Sequence, residues 1–169
     1  MKTITMKSSL AAGLAHRMRT MDAQAVADAC RGYDEIGAVR ANLSLADAID
    51  AANAAFIAAV RDTEEKKRAV FAEIKAEYDR ETEGKTREEA ASMASGLQRR
   101  FNERAAEIQK GSTADPDTAV EFEVSDEKYS DVLMPVFRKT AQLWDVNGDG
   151  GGQKLFLEVA DALESAVSR

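Results

Sequence analysis

The residues of this chain whose types and spacing suggest a specific chemistry form the segment Asp145-Val-Asn-Gly-Asp-Gly150. Asp145, Asn147 and Asp149 stand at alternate positions and a glycine follows them, as in the first half of a helix–loop–helix calcium site. A hard cation requires several oxygen ligands, and the glycine lets the backbone turn sharply around it. The spacing therefore suggests a cation site formed by these three side chains and the main-chain carbonyl of Gly151.

The second half of this loop departs from the calcium pattern. The twelfth position, where a bidentate Glu closes such a site, is Phe156, and Glu158 lies two residues beyond it. The first six letters resemble the start of a dockerin calcium loop, but dockerins carry two such loops and this chain has one. The same residues also suit a plain connection between two helices, in which Asp side chains cap amides. The sequence leaves both interpretations, a turn and an incomplete calcium site.

Helical periodicity dominates the middle of the chain. An apolar repeat of three and four residues begins at Leu45 and continues without proline or glycine until Gly84. Thr86 and Glu89 then form a capping box that opens a second amphipathic helix. Because a short glycine turn between two such helices folds them back on each other, the sequence predicts a long antiparallel, coiled-coil-like helical hairpin over residues 45–110.

The flanking segments predict a small sheet and a C-terminal pair of helices. Apolar and polar residues alternate over 2–7 and 119–124, which indicates two short strands. Helical spacing returns over 126–167, where Pro135 either kinks one helix or begins another. The predicted fold is mainly α, a helix-dominated α+β arrangement in a single domain of residues 1–169.

Composition narrows the classes of function. Hydrophobic residues make up 44% of the 169 residues and charged residues 31%, which is typical of a soluble folded protein. A net charge of −7 argues against nonspecific binding to nucleic acid. With Cys30 as the single cysteine, an intramolecular disulfide is impossible. The N-terminus lacks the apolar run of a signal peptide and no 18-residue apolar stretch suggests a membrane span, so we expect a cytoplasmic protein.

No arrangement of residues in the sequence suggests catalysis. His16 is the single histidine, and no serine or cysteine pattern accompanies it as a triad would require. The glycines at 148–152 lack the Lys-Ser/Thr of a phosphate loop. We therefore expect a protein that is not an enzyme, with no catalytic residues and no cofactor, calcium at the Asp145 loop being the one candidate ligand.

The order of the predicted elements along the chain resembles that of a known group of proteins. A short Met-Lys strand leads into a helix, a long charged helical region follows, and the segment Phe122–Phe137 precedes a terminal helix over Leu155–Leu163. This layout is similar to that of a group of small, uncharacterised tailed-phage proteins, chiefly in the C-terminal third. The group has no established activity, so no residue role carries over. The resemblance implies the cytoplasm of an infected bacterium as the setting.

These features lead to a non-enzymatic protein-binding module as the predicted function. The resemblance implies a phage accessory protein or an inhibitor of a host defence protein. The acidic balance suits a protein partner with a basic surface, and a homo-oligomer is equally compatible with the long hairpin. Salt should weaken binding if charge steers the encounter. The alternative is a calcium-responsive structural or adaptor protein that uses the loop beginning at Asp145.

Overall fold

Strand β1 (Lys2–Lys7) pairs in antiparallel register with β2 (Ala119–Val124). Ile4 lies opposite Phe122 and both side chains are buried, whereas Glu121 and Glu123 face outwards. The alternation of apolar and polar residues thus sets the two faces, as the sequence predicts. The computed structural model that shows this describes residues 1–144 and 150–166.

Helices make up most of the described chain, so the predicted helix-dominated α+β fold is confirmed. They are α1 (Ser8–Thr20), α2 (Ala23–Ala29), α3 (Glu35–Ala52), α4 (Ala54–Thr82), α5 (Arg87–Lys110), the short α6 (Asp126–Lys128), a π-helical segment (Tyr129–Leu133), α7 (Met134–Trp144) and α8 (Gly150–Ser165).

Contacts within the chain divide it into two compact units. We call residues 1–54 with 115–169 the sheet unit, and residues 55–114 the hairpin unit. The assignment of residues 1–169 to a single domain stays a prediction from the sequence. Within the described ranges, no single helix is both long and apolar enough to cross a membrane, and only α3 and α4 taken together as a bent pair reach that composition.

Local caps and a glycine turn separate α2 from α3. The Asp22 carboxylate accepts hydrogen bonds from the first-turn amides of α2, and Asp34 accepts one from Gly37 N at the start of α3. Between the helices, Gly32 has a φ of 76°, a conformation that L side chains rarely adopt. This glycine turn therefore separates the two helices.

The prediction of one continuous helix from residue 45 into the hairpin is wrong. The helix α3 begins earlier, at Glu35, and ends before Asn53. The Asn53 side chain is buried, and its Nδ2 donates a hydrogen bond to the Ser8 carbonyl 2.8 Å away. An asparagine amide can compete with the helical backbone for hydrogen-bond partners. The hydrogen bond to Ser8 thus lies at a helix break where the sequence has neither proline nor glycine.

The core of the sheet unit is formed by α1, α2, α3, the π-helical segment, α7, α8 and the inner face of the sheet. Across α1 and α3, Arg19 makes ion pairs with Asp47, at 2.6 Å, and with Asp50. The largest fully buried side chains of this core are Ile4, Met18, Ile49, Val26, Leu133, Val132, Val136, Val159 and Leu163.

A π-helical turn interrupts the segment that follows β2. The hydroxyl of Ser125 accepts a hydrogen bond from Lys128 N and caps this segment. Met134 N then donates to the Tyr129 carbonyl five residues back. Pro135, which has no N–H to continue the helical ladder, follows directly. Of the two predicted alternatives, the structure shows the second, since Pro135 is the second residue of a new helix, α7, which begins at Met134 directly after the π-helical turn.

Candidate functional site

The predicted calcium loop falls largely outside the described residues. Asp145, Asn147 and Asp149 belong to that part of the chain, whereas Gly151 lies in the first turn of α8. Among residues 1–144 and 150–166, no three His, Cys, Asp or Glu side chains are grouped to hold a metal ion. The calcium site stays a prediction, and calorimetric titration with calcium is the measurement that tests it.

Phe156, which occupies the position of the missing closing ligand, packs against the core. Its ring stacks on that of Phe137, with centroids 4.9 Å apart and planes 7° from parallel. Glu158 lies one turn beyond Lys154, and their charged groups are 3.9 Å apart. Phe156 therefore has a packing role in the core, which explains an aromatic side chain at this position.

The structure places the single histidine and the single cysteine in unreactive surroundings. His16 is exposed on α1, and Cys30 is buried at the end of α2. Burial raises the pKa of the Cys30 thiol, and the charge of Asp131 adds to this effect. A thiol with a raised pKa stays protonated near neutral pH, so Cys30 packs as a small apolar residue.

The hairpin unit consists of α4 and α5, which run antiparallel and are joined through Gly84 at a φ of 77°. Polar side chains fix their register. The hydroxyls of Thr63 and Ser112 lie 2.7 Å apart, and Lys67 Nζ donates to Gln109 Oε1 at 2.7 Å. Such polar pairs specify one alignment of two helices more sharply than an apolar seam does.

One flank of the hairpin is held by ion pairs. Arg104 lies 2.9 Å from Glu73, and Arg100 lies 3.2 Å from Glu77. Both pairs join α5 to α4, and all four side chains are partly exposed. Because exposed ion pairs contribute little to stability, this polar flank aligns and hydrates the two helices more than it stabilises their pairing.

The other flank is apolar. Phe71 meets Phe101 edge to face, with centroids 5.4 Å apart, yet 44% of Phe71 stays exposed. Val60, which is 38% exposed, precedes Phe71 by about three helical turns and so shares its face. Glu73 points to the opposite side, since two residues along a helix turn it by about 200°. We call Val60, Phe71 and Phe101 the apolar flank.

The hairpin has a thin core of its own. Within α4 only Thr63 and Ile74 are buried, and α5 has no buried residue. Two helices can enclose only the seam between them, so the rest of each apolar stripe stays half exposed. The apolar flank is therefore a surface with room for a further packing element.

The charged side chains are unevenly distributed along the chain. Residues 55–114 contain twelve acidic and twelve basic side chains, and residues 1–54 contain six of each. The net charge of −7 thus arises wholly from residues 115–169. The hairpin unit has no net charge. The net negative charge of the whole chain therefore does not come from α4 and α5.

No family model matches this chain, and searches of curated proteins and of solved structures find no protein similar to it. The resemblance to tailed-phage proteins accordingly stays a prediction from the layout of the sequence. The helical periodicity over residues 45–110 does not indicate that Phe71 is exposed beside the seam of the hairpin.

Proposed function

We propose that this chain is a non-enzymatic protein-binding module and that its partner docks on the apolar flank of the hairpin. The observation that carries the proposal is the exposure of Phe71 beside Phe101, in a two-helix unit with two buried side chains in α4 and none in α5. Aromatic side chains held on rigid helices supply much of the binding energy of protein interfaces at low entropic cost.

The chemistry of the flank defines the kind of partner. A helix or sheet face that packs apolar side chains against the exposed part of Phe71 would bury the half-exposed stripe. Because the hairpin carries no net charge, this contact depends on apolar burial more than on electrostatic steering. Its affinity should change little with salt, whereas a basic partner held by residues 115–169 should bind more weakly as salt rises.

Substitution on the flank tests the proposal. Phe71→Gln and Val60→Gln should each lower affinity for the captured partner, Phe71→Gln by roughly tenfold or more, because a central aromatic anchor is lost. Ala72→Gln is the matched control, since this neighbouring residue is exposed and turned about 100° away. Capture from the native host, followed by titration of the purified partner, gives the measurement.

A photo-crosslinking amino acid placed at position 71 supplies direct evidence of contact. It should crosslink the partner, and the same group at position 72 should do so far less. Circular dichroism verifies that each variant keeps its helices. Equal binding by Phe71→Gln and Ala72→Gln, with both folded, would remove the apolar flank as the docking surface.

A further inference from the structure

A cleft of about 560 Å³ opens in the sheet unit between the end of α2 and the segment that joins the π-helical turn to α7. Basic side chains enter it from two directions. Arg31 comes from the turn after α2, and Arg138 and Lys139 come from α7. We call this the basic cleft.

The three bases of the cleft form no ion pair with any described residue. Among the described residues, no carboxylate lies within 4.0 Å of the charged nitrogens of Arg31, Arg138 or Lys139. By contrast, bases such as Arg19 and Arg104 are paired. In a chain with an excess of acidic residues, this concavity has more cations than carboxylates in its lining, so its potential is positive.

Two acidic residues share the cleft and shape what it can bind. Asp28 accepts a hydrogen bond of 2.8 Å from the Gln24 side chain on its own helix, and Asp131 lies in the π-helical turn. Three bases and two acids leave one formal positive charge. The cations and the Ser130 hydroxyl donate hydrogen bonds to an anion, while the carboxylates accept them from hydroxyl or amino groups of the same ligand.

The local fold explains why these groups converge. Gly32 turns the chain after α2 so that Arg31 lies at the rim, and α2 packs against α7. The π-helical turn shifts the residues after it by one helical position, which sets the direction of Ser130 and Asp131 relative to α7. Single π-helical turns inside helices occur frequently at functional sites.

We propose that the basic cleft binds the phosphate group of a small phosphorylated molecule that also carries hydroxyl groups. Guanidinium groups match the oxygens of phosphate in geometry, and a phosphate group offers more oxygens to three cationic donors than a single carboxylate does. The cleft volume falls in the range of small-molecule sites and exceeds that of a phosphate ion. This site is independent of the apolar flank, which belongs to the hairpin unit.

Calorimetric titration with ribose 5-phosphate at physiological salt tests the proposal on the full chain, with ribose and inorganic phosphate as comparison ligands. We expect saturable binding of ribose 5-phosphate, weaker binding of phosphate and none of ribose. Arg31→Gln and Arg138→Gln should each weaken binding by roughly tenfold or more, because each removes a charge-assisted hydrogen bond. The control Arg40→Gln removes an exposed base of α3 that does not line the cleft.

A variant that gains affinity separates binding from folding. Asp131→Asn removes a negative charge beside the anion and should tighten binding by roughly two- to fivefold. Tightening together with loss in the two arginine variants supports the site. The proposal is overturned by the absence of saturable binding, by an equal loss in Arg40→Gln, by ribose binding as well as ribose 5-phosphate, or by unchanged affinity in Asp131→Asn.

Discussion

Asn42 shows how one buried polar side chain can complete a neighbouring helix. Its Nδ2 donates a hydrogen bond to the Met18 carbonyl, 2.7 Å away, in the last turn of α1. The final four carbonyls of a helix have no partner within it, and a buried one needs a donor from elsewhere. Asn42 on α3 supplies that donor, which explains a polar residue among the buried positions of this helix.

We expect Asn42→Ala to lower the free energy of unfolding by roughly 1–3 kcal/mol, because it leaves the Met18 carbonyl buried without a donor. Chemical denaturation followed by circular dichroism gives the measurement. The control is Asn102→Ala on the exposed surface of α5, which should change stability by no more than about 0.5 kcal/mol. Similar losses of unfolding free energy in the two variants would show that the buried Asn42 amide contributes no more than an exposed one.

At the scale of elements, the start of α5 is set by its own residues. The hydroxyl and main-chain N–H of Thr86 both donate to the Glu89 carboxylate at 2.8 Å, and Glu89 N donates back to the hydroxyl. This reciprocal capping box satisfies amides that no earlier turn could reach. The end of α3 has a different origin, because Asn53 depends on Ser8, far away in the chain.

The hydrogen bonds from Thr86 lower the pKa of Glu89 below its ordinary value. A group whose pKa is lowered on folding contributes stability above its unfolded pKa, which for Glu is about 4.3, and loses that contribution as pH falls through the lowered value. Wild type should therefore lose stability between neutral pH and about pH 3, and Glu89→Gln should lose less. Denaturation at the two pH values gives the comparison.

The neighbouring Glu88→Gln serves as the control for this pH effect. Glu88 is exposed in the same first turn but takes no part in the capping box. Its variant should keep the acid sensitivity of wild type. An acid response that is the same in the Glu89 and Glu88 variants would argue that the capping box is not its source.

At the scale of the whole molecule, the two units differ in how much they bury. The sheet unit has a core that draws on five α-helices, the π-helical segment and both strands, whereas the described hairpin buries only Thr63 and Ile74. Local stability follows the density of buried apolar contacts. The hairpin unit should open at a lower free energy than the sheet unit.

Hydrogen exchange measured by mass spectrometry tests this difference. Amides of α4 and α5 should exchange faster than those of α1, α3 and α7, and Ile74→Ala should speed exchange within the hairpin further, because it removes the large buried side chain of α4. Equal protection of both sets of helices in the free protein would contradict the thin core and would point to a partner, or a second copy, already bound to the hairpin.

Both strands, the cap at Thr86, the turn at Gly84 and the stop at Gly111 were predictable, because each depends on residues a few positions apart. Periodicity also placed Phe101 on the inner stripe. It could not divide that stripe into a polar flank and an apolar one, since this division depends on which residue of α5 faces each residue of α4. The calcium-type loop shows the opposite case, a local motif whose chemistry stays a prediction.

The sequence by itself determined the type of the elements, the bounds of both strands and the start of α5, since alternation, helical spacing and caps act over a few residues. Only the tertiary structure decided where α3 ends, how far Phe71 is exposed, and that Arg31 lies with Arg138 and Lys139 around one cleft. The physical reason is the separation along the chain of the residues that come into contact. A hydrogen bond, a shielded ring or a focused charge depends on atoms brought together by the chain path, and no local pattern encodes that path.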